Sequence, residues 1–262
     1  MKTVNARVIV ISVAVLVLGA CVSTSSTPQN QISMNQASQD NVALGVAYLQ
    51  QGRRDLAMQK LQLALQQNPD NANAYSALGL LYSNIGDNKR ADENYREALD
   101  KAPTDPQIQN NYAVFLCRQG KPKQSEKYFV EAAQNPMYPT PEAAYANAGV
   151  CANLIPDEAA AEQFFNKSLA INPNYPQSLY EMARLSYQHK RYQDALTYIR
   201  RFESASPTPR PEVLLLGVRT ENALGDRRGA EGYAKKLRIL FPNSPQTQQL
   251  DQSDNNAGNP GN

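Results

Sequence analysis

The chain has 262 residues, with 26 Lys and Arg against 24 Asp and Glu, one His, three Cys and no Trp. Removal of residues 1–20 would take away Lys2 and Arg7 and no acid, leaving 24 of each sign, so nothing in the charge favours binding to nucleic acid or to an anionic membrane surface. One His and three scattered Cys cannot supply a zinc site of the usual spacing.

The chain opens on an address. Lys2 and Arg7 form a positive segment, and Val8 to Leu18 is an apolar run of eleven residues interrupted by one Ser. A bilayer span takes roughly 20 residues, so this run is too short to cross and fits a secretory signal, residues 1–20. Leu18-Gly19-Ala20-Cys21 resembles the bacterial lipobox. That resemblance implies that Cys21 becomes the mature N-terminus, carrying a thioether-linked diacylglycerol and an amide-linked acyl chain. The alternative is an ordinary cleaved signal in which Cys21 is incidental. Several acyl chains together would hold the protein on a membrane, since each buried methylene contributes about 0.8 kcal/mol. Val22, not Asp, follows the Cys, which by resemblance to sorted lipoproteins favours the outer membrane. Residues 21–37 are poor in charge and rich in Ser, Thr, Gln and Asn, and are expected as a flexible tether spanning about 20–25 Å.

From there prolines recur about every 34 residues: Pro69, Pro103, Pro139, Pro173, Pro207 and Pro242. A period of this size marks a solenoid of stacked helix pairs. The clearest unit is 72–105. Tyr75, Leu78, Gly79 and Tyr82 share one helical face at spacings of three and four, Gly86 stops the helix, and Ala91, Tyr95 and Ala98 repeat the spacing in a second helix. Gly79 and Ala91 are small where the two helices cross, so that their backbones can approach, and Tyr75, Leu78, Tyr82, Tyr95 and Leu99 are expected to fill the space between this pair and the next. Asp70 and Asn71 stand where the first helix needs an N-cap.

The same order recurs as Leu44, Gly45, Tyr48, Gly52, Ala57 and Leu61 before it, and as Tyr112, Ala113, Leu116, Gly120, Ser125 and Phe129 after it. The third unit ends two residues late, at Asn135 to Pro139. The fourth carries Tyr145, Ala148, Gly149, Ala161 and Phe165, with Pro156-Asp157 in its turn. The fifth carries Leu179, Ala183, Ala195 and Ile199. The sixth, with Gly217, Gly225, Ala230 and Leu237, is the weakest, as a terminal cap would be. The pattern resembles the tetratricopeptide repeat, TPR, and implies an all-α, right-handed superhelical solenoid of about six helix pairs over residues 38–244. Residues 245–262 are expected as a disordered tail.

In such arrays the first helix of each pair lines a concave groove. The face opposite the packing seam nominates Val46, Leu49 and Gln50; Asn73, Ser76, Leu80 and Asn84; Asn110, Val114 and Arg118; and Tyr180, Arg184 and Tyr187. Asn, small apolar residues and Arg suit an extended peptide, whose backbone amides need partners. Cys117 and Cys151 lie one repeat apart, near the middle of first helices that pack side by side. In the oxidising compartment that a signal sequence implies, they are expected to form a disulfide stapling the third pair to the fourth; otherwise they are two buried thiols.

Asn110 to Lys121 (NNYAVFLCRQGK), Asn147 to Ala152 and Phe241 to Ser244 go beyond the generic repeat and resemble the type IV pilus biogenesis and stability lipoproteins, the PilF/PilW family. Ala113, where Gly is expected, and Pro156 depart from it. The resemblance implies a pilotin: a monomer anchored by lipid at the periplasmic face of the outer membrane, which helps the pilus secretin assemble there and so supports twitching motility. It implies no cofactor beyond the lipid, no metal and no nucleic acid. Catalysis is not expected. His189 is a lone imidazole in a turn, there is no phosphate loop or nucleophile elbow, and Asp92, Glu93, Glu97 and Asp100 sit on exposed helix. The rival reading is a lipidated repeat scaffold for outer-membrane protein insertion or for recruiting peptidoglycan hydrolases.

Overall fold

A computed structural model describes residues 28–154 and 157–258. Over them the chain forms six consecutive helix pairs and a closing helix. The pairs are α1 (Pro28–Gln50) with α2 (Arg54–Gln67), α3 (Ala72–Asn84) with α4 (Asn88–Lys101), α5 (Pro106–Arg118) with α6 (Pro122–Gln134), α7 (Pro141–Leu154) with α8 (Glu158–Ile171), α9 (Pro176–Gln188) with α10 (Tyr192–Ala205), and α11 (Pro211–Leu224) with α12 (Arg227–Leu240); α13 (Pro245–Gly258) follows.

Each pair is closed by the same contact. A small residue on the first helix lies against a large one sixteen positions later. A Cβ added to Gly45 would sit 2.7 Å from Leu61, one on Gly79 would sit 2.9 Å from the Tyr95 ring, one on Gly149 2.6 Å from Phe165, and one on Gly217 2.7 Å from Tyr233. Ala113 with Phe129, and Ala183 with Ile199, share core clusters in the same places. The space left by Gly79 is therefore taken by the ring of Tyr95, which is 1 % exposed, more than by close approach to Ala91.

Local signals set the ends of the helices. Asn71 accepts from the Ala74 N–H at 3.2 Å, Asp87 from Arg90 at 3.0 Å, and Asp105 from Gln107 and Ile108, with Pro106 opening α5. Asp70 does not cap; its carboxylate accepts from Lys101 at the end of α4 at 2.8 Å. Gly52, Gly86, Gly120 and Gly225 close first helices with φ between 69° and 81°, the left-handed region that glycine enters without penalty. In the fifth pair Lys190 does this at φ 60°. The fourth turn lies partly outside the described residues, but its Asp157 caps α8 through the Ala160 N–H at 3.1 Å.

Both ends of the array extend past the expected limits of 38 and 244. α1 begins at Pro28, so residues 28–37 are helical where a tether was expected. Just beyond this stretch α1 is tied by polar contacts as well as by its apolar face: the Ser38 hydroxyl, fully buried, donates to the Ala64 carbonyl at 2.8 Å and receives the Asn71 amide at 2.8 Å, while Asn41 donates to Gln67 at 2.9 Å. At the other end, residues 245–258 form α13 where disorder was expected. Ser244 accepts the Thr247 N–H at 3.1 Å, and Thr247 and Leu250 are buried. The sixth pair is consequently not the cap. α13 is, and beneath it Val213, Leu214, Leu215, Leu216 and Val218 are all buried. Nothing described covers the first pair in the same way, so Leu44, in the place of buried Leu78, is 45 % exposed.

Two substitutions test this account. Lys190→Gly relieves a left-handed side chain and should stabilise the protein by roughly 1 kcal/mol, read as a raised urea midpoint. Gly149→Ala drives a methyl into the fully buried Phe165 ring and should cost about 1–3 kcal/mol; Phe165→Leu in the same chain should recover part of it.

Candidate partner-binding groove

The contacts between pairs define the inner wall. The backbone of α1 comes close to that of α3, α3 to α5, and the series continues through α7, α9 and α11 to α13, whereas among the described residues no two even-numbered helices approach each other this closely; α10 and α12 meet only through side chains, Glu203 with Tyr233 and Lys236. The odd helices therefore crowd the inside of the curve.

A cavity of about 450 Å³ opens on that wall between α1, α3 and α5. Three nominated residues of α3, Asn73, Ser76 and Leu80, line it, as does Val46 of α1. Its other walls were missed: Gln39, Val42 and Ala43 of α1, and Gln107 and Asn111 of α5. The signal for Val42 was its place four residues before Val46. Asn111 was passed over for Asn110, one step round the helix. All of these side chains are uncharged, so the cavity offers amide and hydroxyl partners over an apolar floor. That chemistry can hold an extended backbone and seat an apolar side chain; it recognises no charge.

Several polar side chains of the wall are spent on the fold. Ser76 is 3 % exposed and receives the Asn111 amide at 3.3 Å; Gln107 donates to Asn111 at 3.0 Å. Asn110 is buried and accepts from Asn147 of α7 at 3.2 Å, so it ties two inner helices together and does not face a ligand. Leu49 and Val114 pack against core clusters. Gln50, Asn84 and Arg118 are exposed at the ends of their helices.

The fifth pair is occupied by its own contacts. The Arg210 guanidinium lies 5.4 Å from the Tyr180 ring centre, Arg184 donates to Glu181 at 2.9 Å, and Tyr187 packs against Tyr192 with centroids 5.5 Å apart. Burial pushes the Tyr180 phenol above its ordinary range, which keeps it neutral. Of the nominated residues, the cavity brings together Val46, Asn73, Ser76 and Leu80, at the first three pairs.

Cys117 of α5 and Cys151 of α7 meet with Cα atoms 5.7 Å apart and are joined as a disulfide across 34 residues. Cys151 is 2 % exposed and has the Ser125 hydroxyl 3.1 Å from its sulfur. Cys21 lies outside the described residues, as does the apolar run before it. No described helix is long and apolar enough to cross a membrane.

The described residues hold no group of three or more His, Cys, Asp or Glu placed to bind a metal. His189 pairs with Glu158 at 2.9 Å on the surface, and Asp92 accepts from Arg96 and from the Tyr112 hydroxyl.

An inner wall of first helices, a repeating small-to-large seam and a neutral cavity define a tetratricopeptide-repeat protein, a non-enzymatic scaffold that binds other proteins and needs no cofactor. The repeats match as such: residues 45–86 as a TPR repeat, and residues 72–105 and 116–178 as tetratricopeptide repeats. The type IV pilus assembly protein PilF of Pseudomonas aeruginosa is 31 % identical over 242 residues, which is 91 % of this chain and 96 % of PilF. The crystal structure of PilW, described as a widely conserved type IV pilus biogenesis factor, superposes with a TM-score of 0.73 at 32 % identity, covering 82 % of this chain and 99 % of PilW. That of Pseudomonas aeruginosa PilF gives 0.73 at 31 % identity over 84 % of this chain and 99 % of the other. The chain belongs to this PilF/PilW family of type IV pilus proteins.

If the disulfide staples α5 to α7, Cys117→Ser with Cys151→Ser should lower stability by roughly 3–4 kcal/mol on the chain-entropy argument. Urea unfolding with and without reductant reads it: reductant should bring the parent protein down to the double variant and leave the variant unmoved.

Proposed function

We propose that this protein is an outer-membrane lipoprotein that acts as pilotin for the type IV pilus secretin. The observation that carries the reading is kinship along almost the whole array with PilF, a type IV pilus assembly protein, in a chain that begins with a lipobox-like Leu18-Gly19-Ala20-Cys21. Acyl chains on Cys21 would supply the destination, and the neutral cavity of α1, α3 and α5 would hold an extended segment of the secretin subunit.

The early start of α1 sharpens the geometry. Only six residues separate Cys21 from Pro28, and a chain of that length reaches at most about 25 Å. The secretin segment would then be captured close to the bilayer that receives it.

In a deletion strain, the heat-resistant secretin multimer should be lost or stranded in the inner membrane, seen on an unheated denaturing gel, and twitching should stop while growth stays normal. A multimer that forms and localises normally, or a general envelope defect, would point instead to a lipidated scaffold for outer-membrane protein insertion or for peptidoglycan hydrolases. Within the pilotin reading two variants separate delivery from capture. Cys21→Ser should leave binding to the secretin subunit intact and lose its outer-membrane location. Leu80→Glu puts a charge on the apolar floor and should lose binding, by about tenfold or more, while remaining membrane-bound.

A further inference from the structure

The array carries its charge unevenly. Residues 28–183 hold twelve Lys and Arg against sixteen Asp and Glu, whereas residues 184–240 hold twelve against six. Part of the excess gathers at the far end. Along α12, Arg227, Lys235 and Arg238 stand on one helical stripe beside Ala230 and Ala234, and with Val218 of α11 and Leu250 of α13 they line a furrow of about 480 Å³. The four apolar residues are buried and form its floor. Glu231 is the one carboxylate of α12 on this stripe. Among the described residues, the ion pairs of the region go to Arg238, Lys236 and Arg200, and Arg227 and Lys235 have none.

The chain itself displays what the stripe takes. Asp251 and Asp254 of α13 both accept from the Arg238 guanidinium, at 2.8 and 2.6 Å, and Leu250 of the same helix is buried in the core beneath. An apolar residue with carboxylates one and four positions after it already docks at one end of the furrow. At the other end Arg227 and Lys235 present the same charge with no such partner.

We propose that the uncovered part of this furrow is a second docking surface, separate from the neutral cavity of α1, α3 and α5, for an acidic protein segment that carries carboxylates close to an apolar side chain. The cations would take the carboxylates and the floor of Val218, Ala230 and Ala234 the apolar group. A flat layer of anionic headgroups would meet the projecting cations but could not reach that floor. The surface owes nothing to the pilotin reading and stands or falls apart from it.

The test uses the purified full-length protein in detergent and a fluorescein-labelled peptide, acetyl-Asp-Glu-Leu-Asp-Glu-amide, with Asn-Gln-Leu-Asn-Gln as its neutral counterpart. The acidic peptide should bind by fluorescence anisotropy, more weakly as salt rises. Arg227→Glu with Lys235→Glu should reduce its affinity at least about tenfold. Arg54→Glu with Lys123→Glu, the same charge change elsewhere, should not, and neither should Leu80→Glu, which lies in the first cavity. If the reversed variant loses helicity, Arg227→Gln with Lys235→Gln should show the same loss of binding in a smaller degree. The proposal is overturned if the acidic peptide does not bind, if the neutral peptide binds equally well, or if both charge-reversal pairs behave alike. It is also overturned if the peptide fails while Arg227→Glu with Lys235→Glu lowers retention on phosphatidylglycerol vesicles relative to the parent. Both proteins share the same N-terminus, with any lipid on it, so that difference would assign the face to lipid.

Discussion

The contact on which the rest of the array depends is the one between a small residue and the large residue sixteen positions after it. It sets how closely the two helices of a pair lie, and every later dimension follows from that spacing. Where the small residue is Gly149, the facing Phe165 is fully buried; where it is Ala183, the facing residue is the smaller Ile199. The rule is not strict, since Ala113 faces Phe129 and Gly45 faces Leu61, but in every pair a small residue stands opposite a large apolar one, as close packing requires. Each pair alone would leave an apolar face in water, so it persists only because the next pair covers it. Leu44 shows the cost of having no predecessor, and α13 shows how the chain avoids that cost at the other end.

The third junction is where this regularity is relaxed. The two extra residues between α6 and α7 end in Tyr138, which turns into the core beside Ala132, Ala133 and Ala144. α6 then packs along α7 more extensively than the second helix of any other pair packs on its successor, while α5 and α7 share less contact than α3 and α5 do. Contact along the inner wall is smaller from this junction onward than at the first two, and Cys117 meets Cys151 and Asn147 reaches Asn110 at the first of these looser junctions. A covalent bond and a polar tie stand where apolar contact is reduced. Asn110, which by sequence position belongs to a ligand site, is thereby drawn into structure.

This explains what could be read in the sequence and what could not. The seam repeats with a fixed period and needs particular volumes, so Gly79, Tyr95, Gly149 and Phe165 announce the fold without coordinates. The caps Asn71, Asp87 and Asp105 announce themselves by residue type. The two ends of the array carry no such period. Residues 28–37 are as polar as a tether, and their helix continues into a half of α1 that is anchored by the buried hydroxyl of Ser38, bonded to a carbonyl of α2 and an amide before α3, and by Val42, Val46 and Leu49 against the core. α13 is polar except at Leu250, a single apolar residue in which no periodicity can be seen. The cavity was half legible for a related reason. Its floor on α3 follows from the repeat, but its walls belong to neighbouring helices turned by the superhelix, and which face of α1 and α5 looks inward depends on the sum of those rotations.

The two surfaces differ in how they would discriminate partners. A neutral cavity lined by Gln39, Asn73, Gln107 and Asn111 gains from backbone hydrogen bonds that every extended peptide can offer, so its selectivity must come from the shape of the apolar side chain seated over Val42 and Leu80. Selection by shape alone is modest, since one methylene more or less changes affinity by only about 1–3 kcal/mol. A scaffold that must find one partner in a crowded compartment benefits from a second, chemically independent contact. Two weak sites on one rigid array act as a single strong one when their spacing matches the partner's, and neither alone suffices when it does not. The solenoid provides that spacing: six pairs locked by the same seam hold the neutral cavity at α1 to α5 and the basic furrow at α11 to α13 at a distance that the chain cannot easily change.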